Sequence, residues 1–131
     1  MQSEIFCICE YAQDNNSKLN LNGTFNAFTT SQLPFLPSFY IAGRINLNLY
    51  EIGQLSLKIN VYKNGELFLA DMFTGNANVD APTAGNFSVF TFALPVNVQT
   101  PQIEFSEIGE YEFKLFVNNN ALTSVKLNIT M

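Results

Sequence analysis

The chain has 131 residues, 47% of them apolar and only 13% charged, and its 11 Asp and Glu outnumber its 6 Lys and Arg for a net charge of −5. A domain of this length buries roughly 65–70% of its unfolded surface, so a single unit over residues 1–131 can hold a core without disulfide or metal staples. Scattered cations and a single Arg, Arg44, argue against nucleic acid and anionic membranes, which are held mainly by clustered Lys and Arg.

Alternation with period two runs through the chain, and no stretch has the 3.6-residue period of a helix. The first expected strand spans about Glu4 to Tyr11 and is apolar on both faces, with Ile5, Cys7, Cys9 and Tyr11 against Phe6 and Ile8. Cys7 and Cys9 would share one face of it, roughly 6–7 Å apart with parallel side chains, at or beyond the edge of disulfide geometry. The chain has no His, so a C-x-C metal site lacks further ligands. The two cysteines are therefore read as buried, reduced thiols, and no cofactor is expected.

A second strand, about Lys18 to Thr29, sets Leu19, Leu21, Gly23, Phe25 and Ala27 against Asn20, Asn22, Thr24 and Asn26. Leu33-Pro34-Phe35-Leu36-Pro37 cannot be a central strand, because its prolines lack N–H donors; it reads as an apolar crossover covering one end of the core. The segments Phe39–Tyr50 and Leu55–Tyr62 then alternate cleanly. Read as a hairpin, they place Leu49 opposite Leu55 across a three-residue loop, Glu51-Ile52-Gly53, with Gly53 in the left-handed conformation. Lys63-Asn64-Gly65-Glu66 is a tight-turn signal leading into a short strand from Leu67 to Met72. Thr74–Gly85 reads as a loop. Asn86–Val98 reads as a strand in which Pro95 marks a sheet edge or a bulge. A closing hairpin pairs Tyr111, Phe113, Leu115 and Val117 with Val125, Leu127 and Ile129.

Seven or eight short strands of this kind predict an all-β fold, an immunoglobulin-like antiparallel sandwich, with a small up-and-down barrel as the alternative. The sandwich is favoured by Ile108-Gly109-Glu110-Tyr111-Glu112-Phe113. A Tyr opening the penultimate strand two residues before a large core residue is where a tyrosine corner forms.

Several segments together resemble a family of small, stand-alone bacterial proteins known only as a domain of unknown function. They are Lys18–Gly23, the crossover Leu33–Pro37, the Asn64-Gly65 turn, Gly109-x-Tyr111-x-Phe113, and the terminal stretch Asn118–Ile129. Similar proteins often carry Asp-x-x-Gly at turns where this chain has Lys63-Asn64-Gly65. The resemblance implies a sandwich fold and assigns no activity or functional residue.

Catalysis is not expected. The commonest general base is missing, and no phosphate loop or zinc motif is present. Of the carboxylates close in sequence, Glu104 with Glu107 and Glu110 with Glu112, the latter pair shares the outward face of one strand and reads as solvated surface. Glu10 beside Cys9 would raise a thiol pKa rather than lower it.

The chain is thus expected to be a non-catalytic interaction or structural module, binding or assembling with protein. The hairpin register sets Arg44 opposite Asn60, Asn46 opposite Lys58 and Ala42 opposite Tyr62. Tyr40, Arg44, Asn46, Lys58, Asn60 and Tyr62 would then form one polar, stackable face for a glycan or a protein, and the plainer alternative is that they only solvate a charge-poor sheet. The doubly apolar first strand predicts self-association through Phe6 and Ile8 unless the crossover covers its second face. The start Met1-Gln2-Ser3-Glu4 lacks the basic and long apolar stretches of a signal peptide, and no run reaches the roughly 20 apolar residues of a membrane helix. Both features predict a cytoplasmic protein.

Overall fold

The computed structural model describes residues 1–16, 18–80 and 90–131, and among them it contains strands and turns but no helix. The strands are β1 (Gln2–Asn15), β2 (Lys18–Phe25), β3 (Ala27–Thr29), β4 (Phe39–Leu47) and β5 (Gly53–Lys63), followed by β6 (Glu66–Val79), β7 (Phe90–Val98), β8 (Gly109–Val117) and β9 (Asn120–Thr130). They form a four-stranded sheet in the order β2-β1-β4-β7 and a five-stranded sheet in the order β3-β9-β8-β5-β6. Two open sheets facing each other make a sandwich, not a barrel. The strand expected over Lys18–Thr29 breaks at Asn26 and changes sheet: β2 pairs with β1, whereas β3 runs parallel to β9.

The expected hairpin of Phe39–Tyr50 with Leu55–Tyr62 does not exist. β4 pairs with β1 and β7, and β5 pairs with β6 and β8 in the opposite sheet. The physical reason is that alternation records only which side chains face the core. Ile41, Ile45 and Leu47 meet Leu55, Leu57 and Ile59 in the same buried cluster, and strands facing each other across a core show the same pattern as neighbours in one sheet. The chain turns after Leu47: Glu51 N–H donates to Asn48 O at 3.0 Å, closing a tight turn. Gly53 does have a positive φ, +121°, but it opens β5 rather than ending a hairpin loop, and Leu49 is 53% exposed instead of packing on Leu55.

β1 is an interior strand. Ile8 is fully buried in the main core, and Phe6 packs against that core. The outward side of β1 is covered by the chain itself: Cys9, Ala12 and Ala42 form a second small cluster closed by Cys7, Leu19, Leu21 and Tyr40. β2 also touches β4 and β7, with which it shares no ladder, so its leucines reach over the outer face of the sheet. The crossover is not what covers the outer face of β1. Ile8 is thus taken up by the core and presents no contact surface, while Phe6 is half-buried against the same core.

The Leu33–Pro37 crossover covers one end of the core, as expected. Phe35 exchanges backbone hydrogen bonds of 2.8 Å in both directions with Phe105, and its ring meets Phe28 edge-on. Pro95 lies in β7, an edge strand, where a missing N–H costs no ladder bond. The loop expected over Thr74–Gly85 is in error up to Val79, because β6 continues to that residue along β5; residues 81–89 of the expected loop and strand lie outside the described residues. Asp71, at φ +52°, sits in the bulge that lets β6 follow β5 on both sides of it.

Ile103 and Phe105, both buried in the β7–β8 connection, belong to no alternating strand and add to the core. Tyr111 is fully buried, with its ring edge-on to Phe105 and Phe68. Each such large side chain contributes roughly 1.5–3 kcal/mol by leaving water. The Tyr111 hydroxyl donates to the Glu107 carbonyl at 2.8 Å, the geometry of a tyrosine corner.

Candidate functional site

The sandwich divides the six residues expected to form one face. Tyr40, Arg44 and Asn46 point outward from the four-stranded sheet, while Lys58, Asn60 and Tyr62 point outward from the five-stranded sheet. The whole core lies between them, so no ligand can touch both sets at once.

Most of these side chains have local duties. Arg44 Nη1 lies 3.0 Å from both carboxylate oxygens of Glu4. Asn46 Oδ1 accepts from the Thr91 hydroxyl at 2.8 Å, joining β4 to its register partner on β7. The Tyr40 ring packs 5.3 Å from that of Tyr11. On the other sheet, Asn60 Oδ1 accepts from Asp71 N–H at 2.8 Å and bridges the β6 bulge. The Lys114 ammonium sits 4.7 Å above the Tyr62 ring, and the Lys58 ammonium 5.2 Å above that of Phe116. Sugar stacking on Tyr62 would have to displace Lys114 first.

Three of the four carboxylates considered for catalysis, Glu107, Glu110 and Glu112, are likewise engaged on the surface. Glu107 pairs with Lys63, and the ammonium holds its carboxyl below the usual carboxylate range. Glu110 lies 3.4 Å from Lys126, and Glu112 lies 3.5 Å from Lys114 while accepting from the Ser124 hydroxyl at 3.1 Å. Burial pushes the thiol of Cys7 up and that of Cys9 up to about 11, Cys7 adding to the effect on Cys9. Protonated thiols at neutral pH are poor nucleophiles and poor metal ligands. Among the described residues no three His, Cys, Asp or Glu side chains converge as metal ligands would.

A cleft lies elsewhere, at the end of the sandwich beside the β4–β5 turn. This cleft of about 490 Å³ has a floor of Ile52, Leu55, Val117 and Leu122, and a rim that includes Tyr50, Gln54, Asn118 and Asn120. The turn above it is braced. Tyr50 N–H donates to Asn48 Oδ1 at 2.9 Å, and Asn48 N–H donates to Glu51 Oε1 at 3.0 Å. Glu51 also receives the Met1 ammonium at 2.6 Å, and that bond is the main reason its carboxyl lies below the usual range. At the tip, Tyr50 is 95% exposed. A smaller cleft of about 320 Å³ opens on the outer face of the five-stranded sheet, among Ser56, Lys58, Thr74, Asn76, Phe116 and Asn119.

Sequence reasoning placed the turn at Glu51-Ile52-Gly53, three residues too late, because alternation runs unbroken from Phe39 to Tyr50. The available signal was Asn48 three residues before Glu51, an Asx-type turn opener. A model of the family of unknown function DUF6941 matches residues 4–130, and the chain belongs to that family. No curated protein and no solved structure matches it.

Proposed function

We propose that this member of DUF6941 is a non-catalytic interaction module that docks a protein partner on the end of the sandwich carrying Leu49 and Tyr50. One observation carries the reading: two large side chains, 53% and 95% exposed, stand on a hydrogen-bonded turn beside a cleft of about 490 Å³. Tyr is an interface anchor because its rigid ring contributes area at low entropic cost. A braced turn lowers the ordering cost of docking further. The engagement of Glu107, Glu110 and Glu112 in surface ion pairs and the raised thiol pKa values support the non-catalytic part.

The immunoglobulin-like reading of the sandwich belongs to the same proposal. It is supported by the Tyr111–Glu107 bond at the start of the penultimate strand and by chain crossings between the sheets from β4 to β5, β6 to β7 and β7 to β8.

The test is affinity capture from the native host with the wild-type chain and the double variant Leu49→Ser/Tyr50→Ala. The expected result is a discrete protein retained by wild type and lost from the variant, with both chains equally stable to heat. Equal retention by a folded double variant would overturn the assignment. A captured species that proves to be the chain itself would keep the surface and make the partner a second copy.

A further inference from the structure

The ion pairs of this chain follow a pattern that Lys58 does not share. Arg44, Lys63, Lys114 and Lys126 each face a glutamate within ion-pair distance. All 11 Asp and Glu lie among the described residues, yet none of them pairs with Lys58. Lys18, also outside any ion pair, is exposed at the tip of the β1–β2 hairpin. Lys58 instead is half-buried on the outer face of β5, its ammonium held over Phe116.

The register explains what surrounds it. Lys58 lies between Thr74 on β6 and Phe116 on β8, and in the adjacent outward-facing row Ser56 is paired with Asn76. Asn119, from the β8–β9 turn, completes the cleft. The Ser56 hydroxyl already donates to Asn118 Oδ1 at 3.5 Å, but an unneutralised ammonium with the Thr74 hydroxyl and two amides around a concavity is a donor set for a carboxylate: one oxygen on the cation, the other on neutral donors. Partial burial makes the attraction stronger than at an open surface. The acidic character of the whole chain does not reach into this cleft, where Lys58 is the only ionisable lining residue among the described residues.

The neighbourhood indicates whose carboxylate it is. Asn119 lines this cleft, while its chain neighbours Asn118 and Asn120 line the larger one below Tyr50, and Asn118 Oδ1 accepts from Ser56 N–H at 3.0 Å between the two. The clefts therefore open side by side at one end of the domain. We infer that the Lys58 cleft receives an acidic side chain, Asp or Glu, of the protein that docks at Tyr50. The inference rests on the reading of that end as the contact surface.

The test is an amide and lysine NMR titration of the whole chain with capped glutamate (N-acetyl-glutamate N-methylamide), capped glutamine and glucuronate as separate probes. Capped glutamate should give saturable shifts at Ser56, Thr74, Asn76 and Asn119 and at the Lys58 ammonium. Capped glutamine should give none. Lys58→Gln should weaken the titration about tenfold or more, whereas Lys126→Gln should leave it unchanged. Salt at about 0.5 M should weaken it as well. No saturable shift, or an equal titration of a folded Lys58→Gln chain, overturns the proposal. Tighter binding of glucuronate at the same amides overturns the assignment to a protein side chain. Because the probes need no partner, failure here with Tyr50-dependent capture intact would remove the Lys58 site alone.

Discussion

The Tyr111 hydroxyl donates to the carbonyl of Glu107, four residues earlier and 2.8 Å away, and this bond fixes how the chain enters β8. The ring is buried against Phe68 and Phe105, and the Lys63 ammonium stands 5.4 Å from it while pairing with Glu107. Removing the hydroxyl leaves the ring packed and the carbonyl without this donor. Tyr111→Phe should cost about 1–2 kcal/mol, the range of a lost hydrogen bond at a partly buried group. Urea unfolding checks it: an unchanged midpoint would mean that the bond adds nothing to the corner.

The Lys63–Glu107 pair makes part of the stability dependent on acid. Lys63 holds the Glu107 carboxyl below its ordinary value, so the folded state binds that proton less readily than the unfolded state. The contribution is complete above the ordinary carboxylate pKa of about 4.3 and is lost as pH falls through the lowered folded value. At the alkaline end, Glu107 raises the Lys63 pKa, and the same pair is lost as pH climbs through that raised value. Lys63→Gln should therefore be less stable than wild type at neutral pH, and the gap should close below about pH 4. A gap independent of pH would assign the role of Lys63 to its packing on Tyr111.

Cys9, fully buried and raised to about 11, predicts a folded chain that resists thiol reagents at neutral pH. Its pKa exceeds the unfolded thiol value of about 8.5, so folding stability is full below that pH and falls as pH rises from about 8.5 toward 11, where only the unfolded thiol ionises. Ellman's reagent should titrate the thiols slowly in the native protein and both of them rapidly in denaturant. Fast native reaction at Cys9 would contradict the closed cluster formed by Ala12, Ala42, Leu19 and Leu21.

Asn60 separates a structural role from a binding role. Its side chain accepts the Asp71 N–H in a bulge where Asp71 takes a positive φ. Asn60→Ala should destabilise by about 1–2 kcal/mol through that lost acceptor, without weakening partner capture. Loss of capture with stability intact would return Asn60 to the contact surface.

Much of the fold is legible in the sequence because inward and outward side chains alternate wherever a sheet covers a core. Phe113, Leu115 and Leu127 declare their strands, Pro95 declares an edge, and Tyr111 declares its corner. What alternation cannot say is which inward-facing strand is a neighbour and which lies across the core. That ambiguity put Arg44 beside Asn60 and built a binding face from two opposite surfaces. The polar stretch Thr74–Val79 has little intrinsic strand preference, and only the β5 ladder makes it a strand. Ile103 and Phe105 are buried from an irregular connection, which no periodic pattern announces. The candidate site was the least legible part, because Tyr50 reads as a strand residue until the Asn48–Glu51 turn is seen.

The most direct test of the docking surface places a photo-crosslinking phenylalanine analogue at Tyr50 or at Tyr11, two exposed tyrosines on different parts of the sandwich. Tyr11 packs with Tyr40 on the outer face of the four-stranded sheet. In host cells, irradiation should yield a discrete adduct from position 50 and none from position 11. An adduct from position 11 with none from position 50 would contradict the account and move the contact surface to the four-stranded sheet.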